Sequence, residues 1–111
     1  MLSLDEARAI ALEFPEAAVA QHFERSSFRV RTKIFATMGG AGEPAVIKLQ
    51  PGQQAMMTEV RGELYQPVPG RWGMQGWTQV SLDAADADAF RHALTLSYRN
   101  VAPKKLAALV S

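Results

Sequence analysis

Apolar and polar residues alternate with period two from residue 25 to residue 50, and this stretch organises the chain. Phe28 and Val30 alternate with Ser27, Arg29 and Arg31, which predicts a strand with one dry and one basic face. Thr32-Lys33 predicts a tight reversal. Ile34, Ala36 and Met38 share one face of the next predicted strand, with Phe35 and Thr37 on the other. The run from Gly39 to Pro44 predicts a loop, because glycine and proline interrupt ladders. Ala45, Ile47 and Leu49 form the inner face of a third strand, which leaves Val46, Lys48 and Gln50 outside.

Helical spacing appears on both sides of this sheet. Ser3-Leu4-Asp5-Glu6 reads as a capping box, and Ala7, Ile10, Ala11 and Phe14 follow at helical intervals until Pro15. Val19 to Glu24 reads as a short strand. Past Pro51-Gly52, residues 53–60 predict a short helix with Ala55, Met56 and Val60 available to the core. Leu64 to Val68 reads as an edge strand, since Pro67 cannot donate to a ladder. The loop from Pro69 to Gly76 exposes Trp72, and Trp77 opens a last strand and is expected in the core. Asp83, Asp86 and Asp88 offer caps for a long helix whose Phe90, Leu94, Ser97, Tyr98 and Val101 make one buried stripe. Pro103 starts a terminal turn. The expected class is α+β in two layers: an antiparallel sheet with helices packed on one face, in the approximate order α-β(3)-α-β(2)-α.

Composition narrows the function more than it defines it. The 111 residues make one domain, 1–111. The absence of cysteine excludes disulfides, thiol catalysis and cysteine-ligated metal, and agrees with a cytoplasmic location. No apolar run reaches the ~18 residues of a membrane span, so no membrane partner is expected. The net charge is only +1, but it is unevenly spread. Residues 1–23 hold one arginine and four acids, and residues 24–50 hold five basic residues and two acids. The local excess of +3 is the chief functional signal.

Three other chemistries lack the residues they need. Gly40-Ala41-Gly42-Glu43-Pro44-Ala45 has dinucleotide-loop spacing, but Pro44 and a strand follow where a helix N-terminus is required. His22 with Ser26 or Ser27 lacks an orienting acid and an oxyanion motif. His92 has no metal-ligating residue four positions on. No catalytic residue, metal site or cofactor is therefore expected, and the protein is not expected to be an enzyme. Arg29, Arg31 and Lys48, with Arg25 and Lys33 near them, are expected on one wet face. Arg71-Trp72 is a second basic-aromatic element.

The ordered motifs resemble the MmcQ/YjbR family. They are Glu13-Phe14-Pro15, His22-Phe23, Phe28-Arg29-Val30, Lys33-Ile34-Phe35-Ala36, Lys48-Leu49 before a proline, Gly76-Trp77, and Ser97-Tyr98. The resemblance implies a two-layer α-β(3)-α-β(2)-α arrangement close to the secretion-chaperone-like fold. The strand count read from the residues allows one strand more. Lys33, Phe35, Lys48, Trp77 and Tyr98 are the family-like positions, of which Phe35, Trp77 and Tyr98 suit packing. The family's DNA-binding label rests on fold analogy. The expected function is weak, sequence-independent DNA binding through Arg29, Arg31, Lys33, Lys48, Arg71 and Trp72. The alternative is a protein-interaction module or dimeric adaptor that does not bind nucleic acid.

Overall fold

A computed structural model describes residues 1–110. Helix α1 (Leu4–Leu12) is followed by strands β1 (Ala17–His22), β2 (Arg25–Val30), β3 (Lys33–Met38) and β4 (Ala45–Lys48). Helix α2 (Pro51–Val60), strand β5 (Tyr65–Pro67), the short helix α3 (Arg71–Met74) and strand β6 (Trp77–Val80) come next. Helices α4 (Ala87–Val101) and α5 (Lys104–Ala107) end the described chain. The strands form one open antiparallel sheet in the order β1-β2-β3-β4-β6-β5. The fold is α+β, as the residue pattern predicts, with β1 as the extra strand that the pattern allowed. The segment between Pro69 and Gly76, expected to be a loop, contains α3.

Local chemistry sets the helix ends. The Ser3 side chain accepts from the Glu6 N–H at 3.1 Å, and the Glu6 carboxylate accepts from the Ser3 N–H at 3.1 Å. These bonds hold Glu6 below the usual carboxylate range. Asp86 caps α4 through the Ala89 N–H at 2.8 Å. Pro51 opens α2 at the first helical position, where its missing N–H costs nothing.

Helices α1 and α4 cover one face of the sheet. Phe90, Leu94 and Tyr98 of α4 are fully buried there with Phe28, Val30, Ile47 and Val80. Helix α2 contributes less than its sequence suggests. It packs on β5 at the rim, and Met56 and Val60 face solvent. Its sheltered side is Gln53, Gln54, Met57 and Thr58, so the expectation of a core-facing Ala55, Met56 and Val60 is corrected by about one residue of helical phase.

The central irregularity is a β-bulge. Phe28 pairs with Ala36, but the next residue, Arg29, pairs with Ile34, which leaves Phe35 as the extra residue of β3. The alternation breaks at that point. Phe35 turns inward beside Ala36, and Ile34 turns to the opposite face, reversing the predicted sides of both. Phe35 fits between Phe14 and Tyr98, with ring centroids 5.7 and 5.3 Å away, and Phe14 and Tyr98 are 5.2 Å apart. The Tyr98 hydroxyl donates to the Pro15 carbonyl at 2.6 Å. The bulge also interrupts the ladder to β4. Buried Ser97 bridges the gap: its hydroxyl donates to the Phe35 carbonyl at 2.6 Å and accepts from the Lys48 N–H at 2.8 Å. Polar main-chain groups in a dry interior need such partners.

Gly76 closes the other end of β4. Its φ is +102°, and its carbonyl accepts from the Leu49 N–H at 2.9 Å. A Cβ at this position would stand 2.0 Å from the Leu49 carbonyl oxygen, so only glycine allows the approach.

Candidate nucleic-acid interface

The sheet face opposite α1 and α4 is largely uncovered, with α3 at its β6 side. Cross-strand partners share a face, so the pairs Ser27–Thr37, Thr37–Val46, Val46–Gln79 and Lys48–Trp77 trace this surface across four strands. Its floor is more apolar than the charge pattern implies. Ile34, Val46, Val68, Trp72 and Trp77, with Arg25 and Thr37, line a trough of about 480 Å³. Arg25, Ile34 and Thr37 also belong to a wider groove of about 740 Å³, which runs past Ser27 and Arg29 to His22, Phe23 and the acidic Glu24.

The cations on this face are individually anchored. Arg25 donates through Nη2 to Thr37 Oγ1 at 2.7 Å. Arg29 donates through Nε to Ser27 Oγ at 3.3 Å. Lys48 Nζ lies 4.8 Å from the centre of the Trp77 ring, within cation–π range. Each contact holds a side chain in place, and none of the three cations forms an ion pair among the described residues, although the Glu43 carboxylate comes close to the Arg25 guanidinium beside Gly39.

The expected basic set divides in the structure. Arg29, Lys48 and Trp72 belong to the open face, and Trp72 is 62% exposed. Arg71 is exposed on α3 beside Trp72. Arg31 does not join them. Strand β2 stops at Val30, Arg31 turns with φ +59°, and its guanidinium grips Glu16 at 2.7 and 3.2 Å. That carboxylate raises the Arg31 pKa above its ordinary value. Lys33 pairs with inward-facing Val30, so it belongs to the sheet end on the helix-bearing side. Trp77 is the reverse case. Expected in the core, it is half-buried on the trough floor, because Thr78, Val80 and Leu82 are the inward set of its strand. The continuous apolar parity of Thr78-Val80-Leu82 was the available signal. Ile34 was hidden by the bulge.

His22 does not assemble with Ser26 or Ser27 as a base and nucleophile. Ser26 donates to Gln21 Oε1 at 2.6 Å, Ser27 donates to the Ala20 carbonyl at 3.4 Å, and the His22 ring packs edge-on against Phe23 at 4.6 Å. No cluster of three metal-ligating side chains occurs among the described residues. No helix among them is long and apolar enough to cross a membrane.

The fold and this face define an α+β protein built on an open antiparallel sheet, armoured on one side and bare on the other. A family model described as YjbR matches residues 12–100, and the chain belongs to that family. The crystal structure of Deinococcus radiodurans protein DR2400, which carries family-model domain DUF419, is similar in fold, with a TM-score of 0.70. The two chains are 17% identical, and the match covers 98% of this chain and 88% of that one. Comparison with curated proteins gives no match.

Proposed function

We propose that the open sheet face binds nucleic acid without sequence preference and without catalysis. The observation that carries this reading is the union of two tryptophans with three cations outside any ion pair of the described residues on one uncovered surface. Trp72 and Trp77 offer ring area on which bases can stack, and Arg25, Arg29 and Lys48 offer charge to the phosphates. An apolar floor favours unpaired bases, because a duplex presents phosphate and sugar to a flat surface. No helix among the described residues carries a basic recognition face, so nothing supports base-specific readout in the major groove.

Fluorescence polarisation with labelled single strands and duplexes, titrated at several salt concentrations, tests the reading. Three neutralised phosphates on a single strand give a slope of about −2, or roughly a 20-fold loss of affinity between 50 and 200 mM salt. The double variant Arg25→Glu with Arg29→Glu should lose binding. Arg31→Glu should retain it, since that charge is already committed to Glu16. No binding at low salt, or equal binding by the Arg25/Arg29 variant, overturns the proposal.

A further inference from the structure

Strand β1 pairs with β2 on one side and borders no other strand in the sheet order. Ala17-Ala18-Val19-Ala20-Gln21-His22 contains no proline and no formally charged side chain, and its pairing with β2 is regular. Those are the devices that normally protect an edge. The opposite edge is defended: β5 is three residues long, ends in Pro67 and is flanked by α2.

The hydrogen-bonding groups of β1 follow from its hairpin. A two-residue turn, Phe23-Glu24, makes His22 and Arg25 a hydrogen-bonded pair, and such pairs alternate along an antiparallel ladder. Ala18 and Ala20 therefore bond to β2, while Ala17, Val19 and Gln21 aim their main-chain groups at the open edge. The Ala17 N–H is taken by the Phe14 carbonyl at 3.0 Å. The Val19 and Gln21 amides, and the carbonyls of all three, face outward.

Exposed apolar side chains gather along the same edge. Val19 is 44% exposed, Leu12 is 46% exposed and Phe23 is 88% exposed. Leu12 lies one helical turn beyond Arg8, whose Nη2 reaches Gln21 Oε1 at 3.4 Å, so Leu12 overhangs the β1 side of α1. Val19 pairs with inward-facing Phe28 and so projects from the same side of the sheet as Leu12.

We infer that β1 pairs antiparallel with β1 of a second copy of this chain, joining two sheets into one across a two-fold axis. The sequence is self-complementary for this purpose. With Val19 opposite its own copy, side-chain parity is kept, each Gln21 N–H meets the second copy's Ala17 carbonyl, and no like charges are opposed. Leu12 and Val19 of both copies then cover one another on the helix side. The open faces become one continuous surface carrying two troughs.

Light scattering over about a hundred-fold rise in concentration reads the assembly by mass action. The mass of the wild type rises from 12.1 kDa toward twice that value. Val19→Lys sets two ammonium groups opposite each other on the axis and holds the mass at one chain, with circular dichroism as the folding control. Amide exchange on the wild type gives an independent reading if that variant misfolds. The Val19 and Gln21 amides slow as concentration rises, while Ala18 and Ala20 do not change. A wild type that stays at one chain throughout, a Val19→Lys dimer as tight as wild type, or Val19 exchange independent of concentration overturns the inference.

Discussion

The two faces of the sheet are built from the same strands and differ in what their side chains are committed to. On the helix-bearing face, Phe14, Phe35 and Tyr98 interlock, and Ser97 serves two main-chain groups at once. On the open face, Trp72, Trp77, Arg25 and Lys48 touch one another or their neighbours singly, and their outer surfaces remain in water. Phe14, Pro15, Phe35, Lys48, Ser97 and Tyr98, drawn from four of the motifs, meet around the bulge. Most of the motifs that carry the resemblance therefore specify packing in this chain. A family match made through them carries information about the fold and little about a ligand.

Substitutions should separate the faces by size of effect. Phe35→Ala should cost about 3–5 kcal/mol in denaturant melts, the range for removing a buried aromatic. A cost below 1 kcal/mol would show that the bulge does not seat this ring in the core. Ser97→Ala comes next, at about 1–3 kcal/mol, because it orphans a buried carbonyl and a buried N–H. If Ser97→Ala melts like the wild type, water or a shifted ladder satisfies those groups instead.

Trp72→Ala should change stability by no more than about 0.5 kcal/mol, yet weaken single-strand binding by about 1–3 kcal/mol. A matching loss of stability would move Trp72 into the structural set. A neutral quencher should reach Trp72 more readily than half-buried Trp77. The smallest contrast is one of pH. Burial pushes the Tyr65 and Tyr98 phenols above their ordinary value, with Glu16 adding to the rise at Tyr98 and Arg31 opposing it. The folded chain then holds these protons more tightly than the unfolded chain. Their contribution is complete below the unfolded phenol value of about 10 and fades as pH rises through the folded values. Tyr98→Phe should flatten part of that alkaline decline in melting temperature, and an unchanged decline would assign it elsewhere.

The long helix and the inner faces of β2 and β4 were legible because each obeys one period from end to end. Phe90, Leu94, Ser97 and Tyr98 recur at helical intervals, and Ala45, Ile47 and Leu49 recur at two. Strand β3 was misread because a bulge changes parity partway, and no local residue announces it. Arg31 was misread because a turn and a carboxylate fifteen positions earlier decide where it points. Charge counting finds an excess of cations but not which of them a neighbour has already neutralised. The hydrophobic floor of the open face was dispersed over β3, β4, the loop before α3 and β6, so only the sheet order brings it together.

That sheet order also implies a schedule. Strands β1 to β4 are a meander in which each strand finds its neighbour across a short turn. Strand β6 must instead insert between β4 and β5 after the chain has travelled through α2, β5 and α3. Closing that excursion of about 30 residues costs roughly 3 kcal/mol in chain entropy before its pairing is gained. The meander is placed to form early and β6 late. Substitutions at Phe28 should then slow refolding, whereas those at Val80 should mainly hasten unfolding. Trp77 arrives with β6, so its fluorescence would report completion of the trough as the last event of folding.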